Sequence, residues 1–297
     1  MTNGKVPANG IEIAYETFGH PDGRPLLLIM GLGTQMLAWH EDLCGRLASR
    51  GFFVVRYDNR DVGLSTHLHD APPPDVMAAL GGDVSSASYT VDDLADDAAG
   101  LLDALDLASV HVMGVSMGGM IAQSLAARHV KRVRSLTSIM STPSPAIGPP
   151  TAEAITALLA PPVTSREEAV ERAVATYRVI GSPGYLLDEP WLRGIAGEGY
   201  DRAYDPVGVA RQLLAIQAGG DRTTSLADVR APALVVHGED DPLVGVAGGR
   251  ATAAALPEAE LLVLPGMGHN LPRELWPQIL DAFEATADRG SQRSGAR

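Results

Sequence analysis

Short apolar runs rich in β-branched residues alternate along this chain with stretches whose apolar residues recur at helical spacing. No other feature limits the fold as tightly. Strand-like runs lie at Ile11 to Tyr15, Pro25 to Met30, Phe52 to Tyr57, Val110 to Met113, Val133 to Ile139, Ala233 to His237 and Leu261 to Leu264. Between them, Val91, Leu94, Ala98, Leu101, Leu102 and Leu105 share one face of a helix, and Thr90 with Asp93 predicts a capping pair at its start. Parallel strands need long crossovers, and crossover helices cover the faces of a sheet. The alternation therefore predicts an α/β fold with a mostly parallel sheet covered on both sides.

The rhythm breaks once, after Ser141. Pro143, Pro145, Pro149 and Pro150 punctuate a linker, and helical patterns follow over Thr151 to Ala160, Arg166 to Val179, Leu192 to Tyr204 and Val207 to Gln217, with no strand among them. This predicts a helical cap at 144–227 inserted between two parts of a sheet core, 1–143 and 228–297. Residues 71–90, with Pro72-Pro73-Pro74 and Gly81-Gly82, read as a mobile loop, and the polar tail from about Arg289 reads as frayed.

Composition excludes several functions. With a formal charge of −13 and a pI near 5.0, the chain lacks the concentrated Lys and Arg that nucleic acid or an anionic membrane requires. No apolar run approaches the roughly 18 residues of a membrane span, and the N-terminus lacks the basic, apolar and small-residue succession of a secretory signal. The expectation is a cytoplasmic protein with no nucleic-acid partner and no stable membrane insertion; oligomeric state is left open. The single cysteine, Cys44, has no disulfide partner or metal-ligand neighbours, so it reads as a buried structural thiol.

Gly114-Val115-Ser116-Met117-Gly118 directly follows a strand-like run, which is the sequence form of a nucleophile elbow. With 32 glycines in 297 residues, chance alone supplies such a pentapeptide about 0.2 times, so its context must carry the inference. A serine hydroxyl is a weak nucleophile and needs a base, and the base needs an orienting carboxylate. Of eight histidines, His269 lies in the glycine-rich turn Pro265 to Asn270 after the last strand, where groups at the carboxyl ends of parallel strands converge. His111 lies mid-strand and His129 at a helix end, both structural positions. His20, His40, His67 and His69 are loop or helix-surface residues, and His237, closing its strand, reads first as a satisfied buried histidine and second as a residue behind the site. The acidic turn Gly238-Glu239-Asp240-Asp241-Pro242 follows another strand. The chain order Ser116, acid, His269 is the order of a serine hydrolase triad on an open α/β sheet.

Two NH groups must also face the developing oxyanion. Met117 supplies one from the residue after the serine, and the glycine-flanked Leu32 in Met30-Gly31-Leu32-Gly33 supplies the other after an earlier strand. Gly31-Leu32-Gly33 only partly matches a dinucleotide-binding turn, because the third glycine is missing. Met30, Gly31, Met140, Met267, Tyr177 and Trp191 are candidate pocket residues.

Together these segments resemble the α/β-hydrolase superfamily over nearly the whole length. The likeness extends to Tyr57-Asp58-Asn59-Arg60-Asp61-Val62-Gly63-Leu64-Ser65, similar to the family's D-x-R-G-x-G-x-S loop, and to its G-x-x-D turn, which selects Asp241. Asp58 and Arg60 then look like structural turn residues. Leu28 to Gly31, Arg56 to Asp58, Val115 to Gly118 and Pro265 to His269 are similar to aclacinomycin methylesterase-like carboxylesterases. The chain departs from the wider family at Met30, where a histidine commonly precedes the oxyanion glycine, and at Asp61, where glycine is usual. The resemblance implies an α/β-hydrolase fold with an inserted cap and a Ser116–His269–Asp241 triad acting on small to medium hydrophobic esters, with methyl esters as one option. It implies no metal or organic cofactor. Lactonase, thioesterase, C–C hydrolase and perhydrolase activities keep the same serine, and a hydrolase fold can also serve as a ligand-binding module.

Overall fold

The computed structural model describes residues 2–295. Its eight strands are β1 (Thr2–Ala8), β2 (Ile11–Phe18), β3 (Arg24–Ile29), β4 (Phe52–Tyr57), β5 (Val110–Val115), β6 (Val133–Ile139), β7 (Ala233–Gly238) and β8 (Ala259–Leu264). They form one sheet in the order β1-β2-β4-β3-β5-β6-β7-β8. The β1–β2 and β2–β4 pairings are antiparallel and all others parallel. This is the α/β-hydrolase arrangement that the alternation and the resemblance implied.

The helices preceding β6 are α1 (Glu41–Ser49), α2 (Val76–Leu80), α3 (Val91–Ala104) and α4 (Met117–Arg128). Between β6 and β7 lie α5 (Ala152–Leu158), α6 (Arg166–Ile180), α7 (Glu189–Arg202), α8 (Pro206–Ala218) and α9 (Thr223–Leu226), with α10 (Ala247–Ala255) and α11 (Trp276–Gly295) after β7. Along β3, Leu26 and Leu28 join the apolar cluster under α1 and α11, while Leu27 and Ile29 join the one under α3 and α4. Successive strand side chains point to opposite faces, so β3, covered on both sides, is apolar from Leu26 to Ile29. The predicted cap of α3 forms as a full capping box between Thr90 and Asp93, and Cys44 is fully buried, its thiol pushed up to about 12 by desolvation.

Three expectations change. β1 was not anticipated, because Gly4 and Pro7 mark its sequence as a poor strand. It is an edge strand, where such residues are tolerated, and it turns into β2 through Asn9 and Gly10, both at positive φ. An Asn-Gly pair in that conformation makes a tight hairpin. The 71–90 segment is not a plain loop, since it contains α2, capped by Asp75 Oδ1 accepting from Ala78 N at 2.9 Å. Nor does the chain fray at Arg289: α11 continues to Gly295, held where Arg289 pairs with Glu260 and Arg293 with Glu258. Residues 296 and 297 lie outside the described residues.

The helices between β6 and β7 are tied to the core through Asp61. Its backbone is left-handed, φ 68°, a conformation an aspartate tolerates better than most residues. The buried carboxylate accepts two bonds from Arg211 of α8 at 2.9 and 2.8 Å, one from Tyr89 Oη at 2.8 Å and one from Leu68 N at 2.8 Å. Removing the guanidinium would leave a buried carboxylate with neutral donors only. Arg211→Met is expected to destabilise the fold by about 3 kcal/mol, read as a lowered urea midpoint at unchanged slope. An unaltered midpoint would refute that role for the pair.

Candidate active site

β5 lies between β3 and β6 in the middle of the sheet, so the turn that follows it opens at the centre of the carboxyl edge. There Ser116 adopts φ 57°, ψ −122° just before α4. A non-glycine residue in this region is strained and persists only where its surroundings fix it. The surroundings are tight: a Cβ at Gly114 would fall 2.0 Å from Gly118 O, and one at Gly118 would fall 2.2 Å from Ile29 O. Only glycine fits on either side of the serine. Ser116 N donates to Ile139 O at 2.9 Å, anchoring the turn to β6.

Asp241 follows β7 and His269 follows β8. His269 Nδ1 lies 2.7 Å from Asp241 Oδ2, the geometry in which an Nδ1–H donates to a carboxylate and leaves Nε2 free to accept a proton. The other carboxylate oxygen, Oδ1, accepts from Leu243 N and Val244 N, both at 2.9 Å. His237 Nε2 donates to Val244 O at 2.7 Å and lies 3.7 Å from Asp241 Oδ2. Burial holds the His237 imidazole below its ordinary value, so it braces the acidic turn as a neutral ring. His237 is thus a buried histidine bonded through Nε2, and it also stands behind the site. The other two acidic residues of the turn stand apart from the imidazole, with Asp240 Oδ2 accepting from Gly266 N at 2.9 Å.

The loop after β3 brings Gly31 against the serine, its Cβ position 3.1 Å from Ser116 Cβ. Asn59 Nδ2 donates to Met30 O at 3.0 Å, and Gly33 N donates to Gln212 Oε1 at 2.8 Å. These contacts fix the loop on both sides of Leu32. The NH groups of Leu32 and of Met117, the latter at the positive end of α4, donate to no protein acceptor among the described residues. Sequence reasoning missed Asn59 and Gln212. Asn59 stood inside a recognised loop, but Gln212 carries no sequence signal, because its partner is 179 positions away.

Ser116 and His269 open on one cavity of about 490 Å³, lined from the core by Met30, Gly31, Leu32 and Met140 and from the inserted helices by Tyr177, Ile180, Trp191 and Leu213. No direct hydrogen bond joins Ser116 Oγ to His269 among the described residues. Such contacts commonly tighten only with substrate present. Met267, expected in the pocket, is instead fully buried with Leu264, Leu275 and Trp276 in the apolar cluster behind the histidine turn. Its neighbours' turn, not its side chain, faces the cavity. Of the remaining aromatics between β6 and β7, Tyr185 bonds to Pro265 O, and Tyr200 stacks on Tyr204.

The other histidines are structural or lie elsewhere. His111 is buried against Ser135 Oγ at 2.8 Å, with burial lowering it to about 3, and His129 pairs with Asp96 at 2.7 Å. His40 caps α1 and stacks on Trp191 at the cavity wall. Asp58 accepts from Met36 N, Leu64 N and Arg202, and Arg60 pairs with Asp97, as structural turn residues do.

Comparison with known proteins gives a consistent picture. The model of the alpha/beta hydrolase fold family matches residues 24–272. Rhodomycin D methylesterase DauP of Streptomyces sp. strain C5 is 29% identical, the match covering 92% of this chain and 93% of that protein. The 3-oxoadipate enol-lactonase 2 of Acinetobacter baylyi is 25% identical over 87% of each chain. Among solved structures, the enol-lactonase from Burkholderia xenovorans LB400 superposes with a TM-score of 0.70 at 25% identity, covering 96% of this chain and 99% of its own. No helix among the described residues is long and apolar enough to cross a membrane.

Proposed function

The chain belongs to the α/β-hydrolase fold family, and from that premise we propose that it is a serine hydrolase of carboxylic esters. Ser116 Oγ attacks the ester carbonyl while His269 Nε2 takes its proton, and Asp241 holds the imidazole tautomer and stabilises its cation. The NH groups of Leu32 and Met117 donate to the carbonyl oxygen and stabilise the charge that develops on it. His269 returns the proton to the leaving alcohol, and a water activated by the same nitrogen then releases the acid from Ser116. The scheme uses only side chains and backbone of this chain.

The observation that carries this reading is a strained serine and a carboxylate-bound histidine opening on one cavity, 2.7 Å being the His269–Asp241 separation. The cavity's size and its Met, Leu and Ile lining suit a small to medium hydrophobic ester. A methyl ester of a larger acid is one option, in keeping with the relatives named for methylesterase activity. We also propose that residues 144–227 act as a cap over the core formed by 1–143 and 228–297. A lactone substrate is the second reading, supported by the enol-lactonase relative.

A fluorophosphonate probe tests the proposal directly. The native protein is expected to carry one adduct, on Ser116, and the urea-unfolded chain none. The labelled enzyme should lose hydrolysis across a panel of methyl esters, aryl esters, thioesters and lactones, whose ranking fixes the substrate class. Absence of labelling in the native protein would overturn the serine mechanism.

A further inference from the structure

We infer that His67, His69 and Asp205 form a binding site for a divalent first-row transition ion such as Zn²⁺. His67 and His69 line a surface cleft, with Thr66, Ser85 and Ser88, that shares no residue with the cavity above Ser116. One ligand atom from each of the three residues falls within 4.8 Å of the others. His67 Nδ1 is 2.7 Å and His69 Nδ1 3.9 Å from the same oxygen, Asp205 Oδ2. Ligands bonded to zinc at about 2.0–2.1 Å in tetrahedral array stand about 3.3 Å apart. The two observed separations bracket that value, and with all three ligand atoms within 4.8 Å of one another, closure of up to about 1.5 Å at the exposed His69 seats the ion.

Three features beyond proximity favour ligation. First, His67 Nε2 lies 2.9 Å from Gly63 O. A backbone carbonyl on the far ring nitrogen is the usual support for a metal-bound histidine, and the ion would take the place of the hydrogen that now joins Nδ1 to Asp205 Oδ2 at 2.7 Å. Second, the two imidazoles are stacked with nearly parallel planes, 13° apart with centroids at 5.4 Å, and each turns Nδ1 toward Asp205 Oδ2. Third, Asp205 divides its work: Oδ1 caps α8 by accepting from Gly208 N at 2.9 Å, leaving Oδ2 for the histidines. Arg211 approaches Oδ2 to 3.7 Å, but its guanidinium is committed to Asp61 by two bonds. Two carboxylates against one guanidinium leave the surroundings with one net negative charge, which suits a cation.

An ion here would join the loop after β4 to the start of α8, the helix that carries Arg211 and Gln212. His69 is the open side, its side chain 74% exposed against 13% for each of the other two. Water completes the coordination from that direction.

The test is calorimetric titration of the untagged full chain with Zn²⁺ in a non-chelating buffer, with Co²⁺ absorption as a second readout. The expected result is one ion per chain, bound at least about tenfold more weakly by His69→Ala, together with loss of the cobalt band assigned to the site. His69→Ala removes an exposed ring, so its metal-free melting temperature should match that of the parent. Zinc should raise the melting temperature of the parent and not of the variant. A change of affinity in His69→Ala smaller than tenfold, or no binding by the parent below millimolar zinc, overturns the inference. His67→Gln serves as a second ligand variant with the same criterion.

Discussion

Ser116→Ala is expected to lower kcat for the best ester of the panel by about 10⁵- to 10⁶-fold, the order lost when a serine nucleophile is removed from an assembled triad. KM should move little, because the hydroxyl is a small part of a wall otherwise built from Met30, Met140, Tyr177, Ile180, Trp191 and Leu213. The residual rate above water would come from the two oxyanion NH groups and from binding. Single-turnover and steady-state assays on purified variant, freed of contaminating esterase, measure it. Hydrolysis within tenfold of the parent would remove Ser116 from the mechanism. A stability readout accompanies this: Ser116 sits at φ 57°, so Ser116→Gly should relieve about 1 kcal/mol of strain and raise the urea midpoint while remaining inactive. An inactive variant with a raised midpoint separates loss of chemistry from loss of fold.

Asp241→Asn is expected to cost about 10⁴-fold in kcat at neutral pH. The amide is nearly the same shape, and its oxygen can keep the bonds from Leu243 N and Val244 N at 2.9 Å, so the acidic turn should stay folded. The NH₂ would then face His269 Nδ1 and donate to it. That fixes the proton on Nε2, the nitrogen that must accept from Ser116. The imidazolium would also lose its counter-charge at 2.7 Å. Asp240→Asn is the control: that carboxylate binds Gly266 N and its neutralisation should leave kcat within a few-fold of the parent. The reverse ranking of the two variants would assign the orienting role to the wrong residue of the turn.

Most of the sheet was legible because its strands are buried on both faces. Phe52–Tyr57 and Val133–Ile139 have the bounds read from sequence, the first through the β-favouring run Phe52 to Val55 and the second through β-branched and apolar residues at Val133, Leu136, Thr137 and Ile139. β1 was not legible, because an edge strand lacks that demand and is defined by its partner, β2. The short helix α2 was hidden for a related reason: five residues carry no helical period. Among the candidate residues, Ser116 and His269 each follow a strand and could be named from that position, whereas the turn after β7 offers Glu239, Asp240 and Asp241 alike and only its likeness to the family's G-x-x-D turn selected Asp241. Met267 also follows a strand, yet it packs away from the cavity, and nothing in a turn sequence states which way a side chain points.

The sequence by itself determined the parallel sheet, the turn that holds Ser116, and the strand ends from which Asp241 and His269 project. Each of these follows from local rules: apolar periodicity, the glycines a sharp turn demands, and the convergence of parallel strand ends. Tertiary structure alone decided how the insertion completes the site. His269 N donates to Ile180 O at 2.7 Å, Gly268 N to Ser182 Oγ at 2.9 Å, and Gly33 N to Gln212 Oε1 at 2.8 Å. The histidine turn and the oxyanion loop are thus both fastened to residues 180–212, far from either in the chain. A hydrogen bond across such a separation depends on how helices pack on the sheet, and packing is set by the whole surface two elements share, not by the residues near either end of the bond.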